Sequence, residues 1–449
     1  MFQKILIANR GEIAVRIIRA CREMGILTVA VCSTADKEAL HAQLADECIC
    51  IGSGRPQDSY LNMERILSAA VSVGAEAIHP GFGFLSENTT FSRLCQQCGI
   101  TFIGPSVETM EKMGDKSQAR ETMIQAKVPV IPGTDHAMTE VSEAKKEAEK
   151  IGYPLIIKAA AGGGGKGMRV VQEAGELEAM FALAQQETQK AFGDNHMYME
   201  KYLAKARHIE VQILGDQHGN TLHLGERDCS IQRRHQKMIE ETPALFLGKE
   251  MRREMGEAAV KAAKAAGYYS AGTIEFLVDE DQKFYFMEMN TRIQVEHPVT
   301  EMVTGVDLIK EMIKIAAGEK LSFSQQEVRW QGHAIECRVT AEDATRKFMP
   351  CAGKVQNFFM PGGKGIRVDS SLYQGCEISP FYDSMLAKII VHGENRQEAI
   401  RKMQSALGEL VIEGITTNVD FLYDLVTSED FSEGNTDKIN EILEERCKD

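Results

Sequence analysis

Residues Gly272 to Glu301 read GTIEFLVDEDQKFYFMEMNTRIQVEHPVTE, and the pairing of the two halves of this stretch decides how the chain around it is read. Thr273 to Val278 is a short apolar and β-branched run. The polar stretch Asp279 to Lys283 separates it from Phe284-Tyr285-Phe286-Met287, which predicts a β-hairpin. A four-residue turn, Glu280 to Lys283, sets Glu275 opposite Glu288 on one face. Two carboxylates facing each other across a ladder repel, so the arrangement asks for a cation between them. A shell of one or two carboxylates, completed by water and phosphate oxygens, is the Mg²⁺ pattern.

Past Glu288 the alternation continues. Glu288, Asn290, Arg292, Gln294 and Glu296 share one parity, and Met287, Met289, Ile293 and Val295 take the other. In an extended segment, period two places the polar set on one face and the apolar set in the core. A half-exposed strand whose polar side meets water would show the same pattern. The polar set, however, is two acids, a base and two amides with no Lys or Thr among them, and it prolongs a hairpin that already carries a carboxylate pair. That favours a catalytic floor.

A chain of 449 residues has room for two to four domains. Its 43% hydrophobic and 26% charged content are ordinary for a globular protein. The net charge of −14 argues against nucleic acid or an anionic membrane as the main partner, so an anionic ligand must meet a locally basic site. The eleven cysteines follow no framework. Cys95 and Cys98 form a CxxC without a second pair or a His at zinc spacing, so reduced thiols and a cytoplasmic location are expected. The first strand begins almost at once, so no targeting segment is expected, and no apolar run approaches a membrane span; the expectation is a cytoplasmic protein, or an organellar one already trimmed.

From the N-terminus, residues 4 to 32 predict a βαβ unit. The pattern recurs with a helix at Tyr60 to Ala75, a strand end at Ala77 to His79, a helix at Glu87 to Cys98 and a strand at Thr101 to Ile103. This is a small doubly wound domain without GxGxxG, so a dinucleotide site is not supported. Loops at such strand ends face a ligand crevice, and HPGFGFLSEN (His79 to Asn88) is one of them, although a lone His before Pro is usually structural.

A helix follows at Asp115 to Gln125. YPLIIKAAAGGGGKGMRVV (Tyr153 to Val171) then reads as strand, glycine loop, strand. Backbone N–H groups of such a loop can close over phosphates; the bland alternative is a floppy linker. It is not a Walker A loop, because Gly167 stands where a hydroxyl is needed and a strand follows; a phosphate-covering flap fits better. Lys158 inside the apolar strand needs a partner, and a phosphate is a natural one. Further on, Gln232-Arg233-Arg234-His235-Gln236-Lys237 is a basic run without nearby aromatics. Such runs are usually solvated faces, but in a chain this acidic an anion site is preferred to a nucleic-acid patch. Gly256 to Ala266 reads as an Ala-rich helix. From Gly332 to about Ile415 strands with Gly/Pro turns dominate, and HAIECRV puts Glu336 and Arg338 on one face. The final stretch, Ser428 to Asp449, is acidic and helical.

Taken together, IANRGEIAVRIIRA, HPGFGFLSEN, KAAAGGGGKGMR, RDCSIQRRHQK, EMNTRIQVEHPVTE and YDSMLAKII closely resemble biotin carboxylase, the ATP-grasp component of acetyl-CoA carboxylase, colinearly over nearly the whole chain. The resemblance implies an α/β (α+β overall) ATP-grasp architecture. It would comprise a Rossmann-like domain at 1–114, an ATP-grasp domain at 115–317 with a lid at about 131–203, and a mostly-β C-terminal domain at 331–445. The length is similar to that of the free-standing bacterial-type subunit.

The resemblance also implies ATP-dependent carboxylation of carrier-borne biotin by bicarbonate. By its motifs, Lys116, Lys158, the Gly162-Gly163-Gly164-Gly165-Lys166-Gly167 flap, Glu200, Leu203, His208, Gln232, His235 and Leu277 would hold ATP. Glu275, Glu288 and Asn290 would hold Mg²⁺ or Mn²⁺, two ions being expected. Lys237, Arg292, Gln294 and Val295 would hold bicarbonate, Glu296 would be the base, and Arg338 and Phe82 would meet biotin. The implied partners are a biotin carboxyl carrier protein, carboxyltransferase subunits and a second copy of the chain.

Two positions depart from the family pattern. Phe82 replaces a usual Tyr, which removes a hydroxyl but keeps the ring for stacking. Lys166 replaces a common Arg, which keeps the charge but not the fork. A different ATP-grasp ligase, such as a carbamoyl-phosphate-forming enzyme, would share the nucleotide face without these motifs. A non-enzymatic assembly partner would show a damaged metal or base position, and none is damaged.

Overall fold

The computed structural model describes residues 1–160, 167–203 and 205–446. The expected flap residues Gly162, Gly163, Gly164, Gly165 and Lys166 lie outside these.

The N-terminal βαβ pattern becomes a five-stranded parallel sheet. Its strands are β1 (Lys4–Ile7), β2 (Leu27–Ser33), β3 (Glu47–Gly52), β4 (Ala77–His79) and β5 (Thr101–Phe102), in the order β3-β2-β1-β4-β5. Ile5, Leu6 and Ile7 are fully buried, as a parallel strand covered on both faces requires. The apolar stripe of α1 (Gly11–Glu23), with Ile13, Ile17 and Ile18, covers one face. The helix expected at Tyr60 to Ala75 is shorter, Met63–Ser72, and Asn62 caps it by accepting from the Arg65 N–H.

A three-stranded sheet follows, with Leu155–Ala159 between Arg169–Val171 and Met197–Lys201. The larger sheet has eight strands in two halves. One half orders β6 (Arg207–Gly215), β7 (Thr221–Arg233), β8 (Gln236–Thr242), β9 (Ser270–Val278) and β10 (Phe284–Asn290) as β10-β9-β6-β7-β8. The other continues from β8 through β11 (His333–Thr340) to the strands Met385–Gly393 and Ile366–Ser370. The sheet thus runs without a break from the opening hairpin into the C-terminal region, and this continuity sets residues far apart in the chain onto one surface. The Ala-rich helix begins earlier than expected, at Lys249, and Gly267 ends it in the left-handed region at φ 68°. No helix among the described residues is long and apolar enough to cross a membrane.

The hairpin forms, but by a different route. Asp279 and Lys283 close a five-residue connection, so Val278 pairs with Phe284 and Phe276 with Phe286. Continued unchanged, that register would set Glu275 against Met287. A β-bulge after Phe276 adds one residue to β10, leaves Met287 exposed and restores Glu275 opposite Glu288. The extended run also stops sooner than its alternation suggests. β10 ends at Asn290, residues 291–296 form a loop and turn, and Glu296 is the N-cap of the helix α2 (His297–Thr304).

Candidate functional site

The strand pairings place one row of side chains across four strands: Glu288 on β10, Glu275 on β9, Glu210 on β6 and Arg227 on β7. Three carboxylates and one guanidinium in a row leave an excess of negative charge. A second cation arrives from the turn of the basic run: Lys237, opposite Gln232, reaches back over the floor. Its Nζ donates to Glu210 at 2.6 Å, Glu275 at 3.0 Å and Glu296 at 2.6 Å, which uses all three ammonium protons. Burial works against that charge, but Glu210 and then Glu296 hold the ammonium well above the usual lysine range.

Arg227 is fully buried and spends its five donors in the same way. They go to Glu210, Gln212, Thr300, Thr273 and Gln294. The Gln294 amide nitrogen in turn donates to Glu275 at 2.8 Å, beside Asn290 at 2.9 Å. Glu296 is held from two sides, by Lys237 on Oε1 and by Arg338 Nη2 on Oε2 at 2.8 Å. Burial alone would raise its proton affinity; Lys237, Arg338 and Arg227 outweigh that and hold the carboxyl well below the usual range.

Above this network lies a cavity of about 680 Å³. Of the expected site residues, Lys116, His208, Gln232, His235, Lys237, Glu275, Glu288, Asn290, Arg292, Gln294, Val295, Glu296 and Arg338 share its wall. Lys158, Glu200, Leu203, Leu277 and Phe82 do not. Lys158 finds its partner within the protein, pairing with Glu200 at 2.5 Å, where a phosphate was expected. Leu277 pairs with His208 in the ladder next to the cavity. Phe82 packs against the cluster around Ile13 and Ile17, and its carbonyl accepts from Asn9. His79 is fully buried, and its Nδ1 accepts from the Gly81 N–H, the structural role usual for a His before Pro. The same loop touches the site through Glu87, which accepts from Arg292 Nε at 2.9 Å and from Thr291.

Glu210, Arg227, Glu87 and Glu240 were not singled out from the sequence. Glu210 lies one alternation from His208, which is the only signal that could have marked it.

A divalent cation fits the Glu275–Glu288 pair. Glu275 is neutralised by Lys237, whereas the Glu288 carboxylate has no hydrogen-bond partner among the described residues. Crowding by the protein and the charge of Glu275 raise its proton affinity. A hard ion with oxygen ligands would relieve both effects. Glu210, Cys229 and Glu296 also bring ligand-type atoms within 4.8 Å of one another. There the carboxylates are already taken by Lys237 and Arg227, and burial holds the Cys229 thiol protonated, so that group is a weaker candidate.

Three family models match in succession: the biotin carboxylase N-terminal domain at residues 1–110, the ATP-binding domain of the carbamoyl-phosphate synthase L chain at 115–324, and the biotin carboxylase C-terminal domain at 336–441. Biotin carboxylase 1 of Bacillus subtilis (strain 168) is 57% identical over 435 residues, 97% of each chain. The chain belongs to the biotin carboxylase family. As a member it is an ATP-grasp ligase, and solved biotin carboxylase structures superpose closely. That of Campylobacter jejuni biotin carboxylase, a complex with β-γ-ATP, has a TM-score of 0.92 at 52% identity, with 97% of each chain covered. The biotin carboxylase domain dimer of Hydrogenobacter thermophilus 2-oxoglutarate carboxylase, in complex with MgADP, ADP and bicarbonate, has a TM-score of 0.91 at 52% identity. It covers 97% of this chain and 96% of that one.

Proposed function

We propose that this chain uses ATP and bicarbonate to carboxylate biotin carried on a separate protein, as the first half-reaction of acetyl-CoA carboxylase, feeding malonyl-CoA and fatty acid synthesis. The observation that carries the reading is Glu296, bridged between Lys237 and Arg338 on the wall of a cavity that also holds the Glu275–Glu288 pair. The alternative is the biotin carboxylase component of another acyl-CoA or pyruvate carboxylase; a 2-oxoglutarate carboxylase small subunit is 52% identical over 434 residues, against 57% for the Bacillus subtilis biotin carboxylase. The carboxyl acceptor is chosen by another subunit, so both readings share the chemistry below.

Bicarbonate enters beside Lys237, Arg292, Gln294 and the Val295 backbone. As an anion it draws Lys237 and Arg338 toward itself, and that weakens their hold on Glu296. The proton affinity of Glu296 therefore rises when it must accept the bicarbonate proton. The carbonate formed attacks the γ-phosphorus of ATP and expels ADP, giving carboxyphosphate. Its breakdown releases CO₂ and phosphate; the phosphate takes the biotin N–H proton, and Arg338 stabilises the resulting ureido oxyanion until carbon dioxide is captured. Lys116, His208, Gln232 and His235 serve the nucleotide end, and Lys158, Glu200, Leu203 and Leu277 are its further ligands. Glu275, Glu288 and Asn290 would hold Mg²⁺ or Mn²⁺, which when bound neutralises phosphate oxygens during transfer. Phe82 supports the biotin side through the N-terminal domain. The chain acts as a homodimer in the cytoplasm with a carrier protein and carboxyltransferase subunits; sedimentation as a strict monomer would contradict the dimer.

The test is phosphate release from MgATP with bicarbonate, with and without free biotin, on the wild type and Glu296→Ala. Biotin stimulation in the wild type, with a loss of about a hundredfold or more in the variant, supports the reading. Turnover indifferent to biotin would move it to another ATP-grasp ligase.

A further inference from the structure

Behind Arg338 lie two carboxyl groups that the mechanism leaves unused. Glu240 on β8 and Glu336 on β11 are direct partners in the antiparallel ladder, and both are fully buried. Side chains so paired leave the strands about 5 Å apart on one face, close enough for their carboxyls to meet. Glu240 Oε1 accepts from Arg338 Nε at 2.6 Å. Its Oε2, and both oxygens of Glu336, have no hydrogen-bond partner among the described residues.

Three orphaned carboxylate oxygens side by side in the interior would be strongly unfavourable if both groups were ionised. The cations in reach are committed elsewhere. Lys388, opposite Arg338 in the ladder, donates to the Val295 carbonyl at 2.8 Å and pairs with Glu12 at 3.1 Å. Lys237 serves Glu210, Glu275 and Glu296. The helix α2, which covers this part of the sheet, brings only Glu296, His297 and Glu301; the His297 imidazole is neutral, and Glu301 is paired to Arg16 and Arg367.

We propose that Glu240 and Glu336 share one proton, with neutral Glu336 donating to Glu240 Oε2, and that this pair positions Arg338. Anionic Glu240 then holds Nε of the guanidinium, which fixes the plane in which Nη2 meets Glu296 and the rest of the fork faces the cavity. The electrostatics agree. Burial raises Glu240 to about 7 against the pull of Arg338, and burial raises Glu336 well above the usual carboxyl range. Glu240 and Glu336 are positioning residues, since both act through Arg338.

The functional half rests on Arg338 meeting biotin; the shared proton does not, and two measurements separate them. Infrared spectroscopy of the wild-type protein at neutral pH should show a carboxylic-acid C=O stretch that disappears in Glu336→Gln; its absence from the wild type overturns the shared proton. In steady-state kinetics, Glu336→Gln keeps a donor toward Glu240 and should stay near wild type. Glu336→Ala and Glu240→Gln should raise KM for biotin by about tenfold while KM for ATP holds. Equal damage in Glu336→Gln and Glu336→Ala, or an unchanged biotin KM in Glu240→Gln, overturns the positioning role. If the infrared band is present and no variant responds to biotin at all, the failure lies with the biotin reading and not with the shared proton.

Discussion

Arg227 Nη2 donates to Gln294 Oε1 at 2.7 Å, and this one contact decides which end of the Gln294 amide faces the site. With its oxygen held, the amide must present nitrogen to Glu275, 2.8 Å away, and so adds a donor to the same carboxylate that Lys237 neutralises. Removing the guanidinium, as in Arg227→Met, leaves the buried Glu210 with Lys237 on Oε2 but no donor on Oε1. A loss of about 3–5 kcal/mol in urea unfolding is expected. A loss under about 1 kcal/mol would show that the hub is dispensable.

The Met287 bulge leads to a separate prediction. Deleting Met287 removes the extra residue, so the register of Phe276 with Phe286 continues unbroken and still sets Glu288 opposite Glu275 and Asn290 opposite Thr273. Because β10 is the edge strand of its sheet and the carboxylate pair is kept, both the fold and metal-dependent ATP turnover should survive. Loss of turnover in the deletion variant, with the fold intact, would mean that the bulge itself is required and not only the carboxylate pairing.

Glu288 is the carboxylate left without a partner, so Glu288→Gln should weaken Mn²⁺ binding, followed by electron paramagnetic resonance, by more than the ~10-fold that outer-shell changes cost. Glu210→Gln, in spite of its proximity to Cys229 and Glu296, should weaken it less. The reverse order would move the ion to the Glu210 group.

Acid should destabilise the fold in two windows. Burial depresses His41 to about 4 and His79 to about 3, so the native state keeps both neutral while the unfolded chain takes up protons below about 6.5. The unfolded state then binds more protons, and stability falls as pH drops from about 6.5, by about 1.4 kcal/mol per pH unit for each group. Asp369 acts lower: despite burial, Arg367 holds it at about 2, so its contribution is present above the ordinary carboxylate range and is lost as pH falls through about 2. Urea midpoints measured at pH 7, 6 and 5 should decline, and less steeply in His41→Asn. A flat profile would contradict the assignment.

What the sequence determined by itself was local and periodic. Alternating apolar and polar residues marked the hairpin and the face holding Glu275 and Glu288. β-branched and apolar runs broken by glycine marked the doubly wound domain, and the motifs in order marked the family. What only the tertiary structure decided was which charges meet. Glu210, Arg227, Glu240 and Glu87 each read as a lone charge on a strand or loop, because period two tells which face a side chain takes and not which strand lies beside it. Their partners come from strands remote in the chain, as Arg338 from β11 reaches both Glu240 and Glu296. The bulge at Met287 belongs to the same class. A four-residue turn and a five-residue connection with a bulge end in the same Glu275–Glu288 pairing, and only the hydrogen-bonded ladder distinguishes them. Lys158 shows the converse. The sequence showed that a lysine in an apolar strand needs a counter-charge, but only packing against Met197–Lys201 could name Glu200 as the group that supplies it.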